Sequence, residues 1–254
     1  MSEAREARPG WVYLVGAGPG DVELLTLRAA HLIAQADVVV HDNLIGEDIL
    51  ALVSESAQRV YVGKKAARHE MAQTDICDLL VTLAREGRRV VRLKGGDPYI
   101  FGRGGEEAEA LVEVGVPFEV VPGVTAASGV SAYAGIPLTH RDHAQSVVFA
   151  TGYRKEGAID LDWPALARPA QTVVMYMGVS RVAEICTELV AHGLPASTPA
   201  ALVRRGTLPY QQVLCATLAD LAALAESAGI RPPALMIVGT VVNLAPALGW
   251  FVVR

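Results

Sequence analysis

Short apolar runs alternate with amphipathic stretches through the first half of this chain, and that alternation constrains its fold more than any other feature. Residues 11–15 form a continuous apolar run with the length of a buried strand. Leu25, Ala29, Leu32 and Ile33 follow at the spacing of one helical face. Residues 38–40 and 59–62 make a second and a third strand. Thr74 stands where it could cap a helix whose Ile76, Leu79, Leu80 and Leu83 form one stripe, with Gly87 ending it. Residues 90–93 and 118–121 complete five strands. Alternation of this kind predicts a parallel sheet with helices on both faces.

The second half changes character. Residues 146–151, 172–176, 200–203, 211–217 and 234–238 have the apolar content of strands, and helices are expected over 181–191 and 218–227. The run 211–217 is more polar and alternating, which points to antiparallel pairing. Residues 129–141 mix polarity around Gly135 and Pro137, placing a junction near residue 128. The expected organisation is an α/β domain over 11–128 and a second α/β domain with a mixed sheet over 129–254. A hydrophobic content of 52% supplies a large core for both.

Composition narrows the function classes. A net charge of −5 argues against nucleic acid as the main partner. No apolar run approaches the roughly 20 residues of a spanning helix, so no membrane is expected. The polar start carries no signal peptide, which points to the cytoplasm. Cys77, Cys186 and Cys215 are few, odd in number and widely spaced, and read as reduced core thiols. His41, His69, His140 and His143 lack metal-ligand spacing, so no metal is expected.

One pattern stands out once the strands are placed. Residues 16–20, Asp42, Lys64, the loop 95–104 and residues 122–125 all lie just past the carboxyl end of an expected strand. Open parallel sheets bind ligands at that edge. The first of these segments, Gly16-Ala-Gly18-Pro-Gly20, is similar to a dinucleotide fingerprint, with Asp37 or Asp42 roughly where a ribose-binding acid would stand. The spacing departs from that fingerprint: Asp21 occupies the place of the third glycine, and Pro19 removes an amide. A tight turn touching a phosphate-free ligand fits better.

Other groups carry competing explanations. Asp42 and Lys64 alone would be ordinary surface charges, yet together on one rim they could serve as base and acid or hold polar substrate groups. Glu106, near a helix start, is accounted for by the helix dipole. Arg103 sits among glycines and Arg141 within Thr139-His-Arg-Asp142. Guanidinium forks suit a ligand with several carboxylates. Thr125 could cap a helix, and Met177, taken alone, reads as core.

Together these motifs carry a resemblance. Val15-Gly-Ala-Gly-Pro-Gly-Asp21, Val40-His-Asp-Asn-Leu44, Val62-Gly-Lys64 and Val91-Arg-Leu-Lys-Gly-Gly-Asp-Pro-Tyr-Ile-Phe-Gly-Arg-Gly-Gly-Glu-Glu107 occur in order. Val121-Pro-Gly-Val-Thr-Ala-Ala-Ser128, Gly135-Ile-Pro-Leu-Thr-His-Arg-Asp142, Tyr176-Met-Gly178 and Pro199-Ala-Ala-Leu-Val203 follow. The chain resembles the tetrapyrrole methylase family, on its uroporphyrinogen-III C-methyltransferase branch, over residues 11–252.

The resemblance implies a two-domain tetrapyrrole methylase fold, a homodimer, and S-adenosyl-L-methionine in a cleft between the domains. S-adenosyl-L-homocysteine would be its product. By position, Pro19, Gly95, Gly96, Asp97, Ile100, Thr125, Ala126, Met177 and Gly206 match cofactor contacts. Asp42 and Lys64 match a proton acceptor and donor. Arg103, Glu106 and Arg141, with Met177, match substrate-side positions, and Arg103 and Glu106 stand with the catalytic set. A charged guanidinium is a poor base, so Arg103 anchors substrate and Glu106 or Asp42 is the better base candidate. The implied reaction is methylation of uroporphyrinogen III at C-2 and C-7, through precorrin-1 to precorrin-2, on the routes to cobalamin, siroheme or haem d1.

One departure is Asn43, where many relatives carry arginine; Lys65 or Arg68 could supply the missing contact. The absence of a preceding siroheme-synthase dehydrogenase and chelatase region suggests the stand-alone form. Methylation of a later corrin intermediate, a nicotinamide-dependent oxidoreductase and a non-catalytic tetrapyrrole carrier are the alternatives on residues alone.

Overall fold

The structure, a computed structural model, describes residues 6–63, 71–153 and 159–252. The chain divides into two compact units, Met1–Thr125 and Ala126–Arg254. The sequence places its junction at 128, three residues further on.

The first unit is built on strands β1 (Val12–Gly16), β2 (Val38–His41), β3 (Gln58–Tyr61), β4 (Val90–Lys94) and β5 (Phe118–Val121). They lie in the order β3-β2-β4-β1-β5, and every pairing is parallel. Helices α1 (Leu27–Gln35), α2 (Glu47–Leu50), α3 (Gln73–Arg85) and α4 (Gly104–Glu113) connect them. Successive strand side chains face opposite ways, so β1, β2, β4 and β5 each feed two cores. Tyr13, Val15, Val39 and Leu93 pack with Leu32 and Ile33 of α1 and Ile49 of α2. Val12, Leu14, Val38 and Val40 pack with Ile76, Leu80 and Leu83 of α3 and Leu111 of α4.

Side-chain caps set only some of the helix starts. The Thr26 hydroxyl accepts from Ala29 N at 3.1 Å and caps α1. The expected cap at Thr74 does not form. Helix α3 begins two residues earlier than that cap would place it, its N-cap Ala72 making no side-chain bond. The Gln73 amide instead reaches Glu107 at 3.2 Å, a tertiary contact without a local sequence signature.

The second unit opens with α5 (Ala126–Tyr133) and carries β6 (Ser146–Thr151), β7 (Gln171–Tyr176), β8 (Pro199–Arg204), β9 (Gln212–Thr217) and β10 (Ala234–Val238). Helices α6 (Trp163–Leu166), α7 (Val182–Ala191), α8 (Leu221–Ser227) and α9 (Ala245–Leu248) complete it. The sheet order is β6-β7-β10-β8-β9, with β6 and β7 parallel and the other pairs antiparallel. The antiparallel pairing expected of 211–217 is that of β9 on β8. Met175 and Leu202 face Ile185, Leu189 and Leu221, while Val174, Val203 and Ile237 face Ile136 and Val241.

The expectation of three core thiols needs correction. Cys186 is buried, Cys77 half-buried, and Cys215 exposed on the edge strand β9. An edge strand's outer residues meet solvent whatever their polarity. Among the described residues no helix is long and apolar enough to cross a membrane.

Candidate active site

Strand register gathers the unusual segments of the first unit. Gly16 stands beside Lys94, His41 beside Leu93, and Val15 beside Val121. The loops leaving β1, β2, β4 and β5 therefore start side by side at one carboxyl edge. Lys64, also expected here, lies outside the described residues, as do Lys65 and Arg68.

These loops pack main chain on main chain. Gly18 N donates to Gly96 O at 3.1 Å, and Gly96 N returns a bond to Gly18 O at 2.7 Å. Ala17 N donates to Lys94 O at 2.8 Å. A Cβ on Gly16 would sit 2.6 Å from Gly123 N and 2.7 Å from Gly96 O, so only glycine permits this approach. Amides engaged in this way cannot cradle a phosphate. The ribose-binding role for Asp37 also fails. Asp37 precedes the amino end of β2, where Arg89 grips it through side-chain bonds of 2.6 and 3.0 Å and a backbone bond of 2.8 Å. That ion pair holds the Asp37 carboxyl below its ordinary range.

Asp97 shapes the rim from within. Its Oδ1 accepts from Tyr99 N at 2.8 Å and its Oδ2 from Gly123 N at 3.0 Å, tying the loop after β4 to the loop after β5. Pro19, Gly95 and Ile100 are half-buried around it, Gly96 is buried, and Thr125 is half-buried at the end of the unit. Leu44, Tyr99 and Phe101 are large apolar side chains left exposed along these loops. Bare glycine backbone and apolar walls suit an adenine and a methionine chain, and the engaged amides disfavour a pyrophosphate. The first unit's residues thus fit a phosphate-free nucleoside cofactor.

Arg103 and Glu106 come together as a pair. Arg103 takes a left-handed backbone, φ 58, at the N-cap of α4. Its Nε and Nη2 bond the two Glu106 oxygens at 2.9 and 2.8 Å, both side chains remaining more than half exposed. The guanidinium holds the Glu106 carboxyl below its usual range, while Glu106 raises that of Arg103. Neither change favours proton abstraction by this pair. Asp42 is half-buried after β2, where its Oδ1 accepts from Leu44 N at 2.9 Å; neighbouring Asn43 is exposed.

In the second unit β7 and β8 run the same way, on either side of β10. Met177 and Gly206 therefore follow strand ends at one edge of that sheet. Ala127 N donates to the Tyr176 hydroxyl at 2.9 Å, joining the start of α5, and with it Ala126, to the end of β7. A Cβ on Gly206 would meet the Val130 side chain of α5 at 2.6 Å, so this glycine is required by packing. Met177 departs from the core reading: its backbone is left-handed, φ 52, and it is 47% exposed. A bulky residue held there is an outlier of the sort that clusters at ligand contacts. Arg141 is exposed within the turn bridged by His140 and Ala144. A cavity of about 630 Å³ at the opposite edge of this sheet, lined by residues such as His143, Arg168 and Asn243, contains none of the candidates.

The sequence reading missed a buried charge cluster. Arg92, Lys94 and Glu107 are each under 5% exposed. The signal was available: Arg92 and Lys94 interrupt a five-residue strand whose every position is buried, and buried cations require partners.

Comparison with known proteins agrees with this architecture. The sequence profile of the Tetrapyrrole (Corrin/Porphyrin) Methylases matches residues 11–222. A siroheme synthase of Nitrosospira multiformis is 59% identical over 98% of this chain and 53% of its own length. One from Nitrosomonas europaea is 60% identical over 95% of this chain and 51% of its own. The chain thus spans about half the length of these curated relatives. Uroporphyrin III C-methyl transferase from Thermus thermophilus superposes with a TM-score of 0.80 at 44% identity, covering 92% of this chain and 99% of that one. A structure of the Thermus thermophilus enzyme complexed with S-adenyl homocysteine, also 44% identical, gives 0.78 over 92% and 93%.

Proposed function

This chain belongs to the tetrapyrrole methylase family, and on that premise we propose that it is an S-adenosyl-L-methionine-dependent C-methyltransferase of uroporphyrinogen III. It methylates C-2 and C-7, giving precorrin-2 by way of precorrin-1. The observation that carries this reading is the likeness to the Thermus thermophilus transferase, 44% identical and covering nearly the whole of both chains. The phosphate-free rim supports the same cofactor.

Bound, the donor supplies an electrophilic methyl carbon on a cationic sulfur, and every other task falls to the protein. Pro19, Gly95, Gly96, Asp97, Ile100 and Thr125 of the first unit, with Ala126, Met177 and Gly206 of the second, hold the donor. Asp97 acts chiefly by fixing the loops around it. Arg103 and Arg141 anchor the substrate carboxylates, and Glu106 aims the Arg103 fork. Holding the reacting atoms in line supplies much of the acceleration. Asp42, half-buried and fixed by Leu44 N, takes the proton that the methylated pyrrole must release, with Lys64 as its partner. The enzyme works as a homodimer, which light scattering would test.

Purified protein should move two labelled methyl groups onto enzymatically made uroporphyrinogen III, read by product mass. Calorimetry should show binding of the methyl donor and none of a nicotinamide dinucleotide. Arg103→Ala should cut kcat/KM by roughly 10- to 100-fold, the cost of losing a charge-assisted hydrogen bond to a ligand carboxylate, with donor affinity unchanged. Pigment binding without methyl transfer would make the chain a carrier and overturn the reading.

A further inference from the structure

Glu107 is fully buried, yet three donors converge on one of its oxygens. Arg92 Nε, Lys94 Nζ and Gln73 Nε2 reach Oε1 at 3.1, 2.8 and 3.2 Å, while Oε2 has no hydrogen-bond partner among the described residues. Burying an ion pair seldom stabilises more than a packed apolar residue would. The cluster calls for another explanation, and its geometry supplies one. Arg92 also reaches outward: its Nη2 lies 3.6 Å from Asp42 Oδ2, and its Nη1 donates to Leu93 O at 3.0 Å. Side-chain exposure climbs along this line, from 0% at Glu107 through 5% at Arg92 to 24% at Asp42. Lys94 adds a second cation, so Arg92 and Lys94 balance Glu107 and Asp42. Burial pulls the Lys94 amine below its ordinary value, and Glu107 works against that pull.

We propose that Glu107 is a positioning residue for methyl transfer, orienting the Arg92 fork that in turn sets the Asp42 carboxylate. The proposal rests on the function and the Asp42 role given above. A double-mutant cycle tests it, with rates followed by radiolabelled methyl so that the residual turnover of Asp42→Asn is readable. Glu107→Gln should lower kcat by about 10- to 100-fold, the scale on which an ångström of misplacement costs rate. It should leave the KM for the donor unchanged. In the Asp42→Asn background the same substitution should change kcat by less than about threefold, because the two residues act as one unit. Equal losses in both backgrounds, or full kcat in Glu107→Gln, would overturn the proposal. Should Glu107→Gln fail to fold, Arg92→Lys reads the same cycle, keeping the charge and removing the fork. An unsubstituted protein that transfers no methyl group would sink the functional reading first, and is distinguished because it fails before any substitution is made.

Discussion

Asp97 shows how one carboxylate can shape a rim by tying two loops together. Both of its oxygens are occupied by backbone amides from two loops, Tyr99 N and Gly123 N. Hydrogen bonds to a charged group contribute about 1.5–3 kcal/mol each, so Asp97→Ala should destabilise the protein by about 3 kcal/mol in urea denaturation and weaken donor binding alongside. Asp97→Asn keeps one acceptor and should recover part of both. Wild-type stability in Asp97→Ala would remove this role. The glycines and the proline of the rim were legible in the sequence, because they break apolar runs abruptly. The use made of them was not, since Gly18 and Gly96 are distant in sequence and meet only once β1 and β4 pair. Met177 was misread on residues alone for a similar reason: nothing local announces a left-handed backbone.

Strands were the most legible elements. Three of them, Phe118–Val121, Ser146–Thr151 and Ala234–Val238, coincide with their apolar runs. Strand order was not legible, because parallel crossovers let β4 insert between β1 and β2 without any local mark. The pair that fixes the starts of β2 and β4, Asp37 and Arg89, was likewise invisible as a pair. It makes a prediction about acid stability. The Asp37 carboxyl is held below its ordinary value, so its contribution is complete above the unfolded value near pH ~3.9 and disappears as pH falls through the folded one. Both side chains are about one-third exposed, so solvent screening limits the effect. Asp37→Asn should cost on the order of 1 kcal/mol at neutral pH, with the gap to wild type closing in acid. A gap that persists or widens in acid would assign the loss to something other than ionisation.

At the scale of the molecule, the sequence foretold two α/β units, a parallel sheet followed by a mixed one, because period and polarity change between the halves. Charge adds a prediction here. The protein is acidic overall, at −5, yet the proposed function gives Arg103 and Arg141 the capture of a polycarboxylate. Exposed charges act over roughly 8–10 Å at physiological ionic strength. Raising salt should therefore raise the KM for uroporphyrinogen several-fold and leave that for the donor nearly constant. Steady-state kinetics over a salt series checks this, and parallel rises in both constants would contradict it.

The reciprocal bonds between Gly18 and Gly96 also bear on redesign. An engineer wishing to convert this scaffold to a nicotinamide coenzyme would have to prise that seam apart and rebuild the turn so that its N–H groups face outward. Swapping Asp21 for glycine to complete the familiar consensus would leave the seam closed. Cofactor choice in this lobe is thus written into which loops clasp each other, and motif editing alone should leave it unchanged.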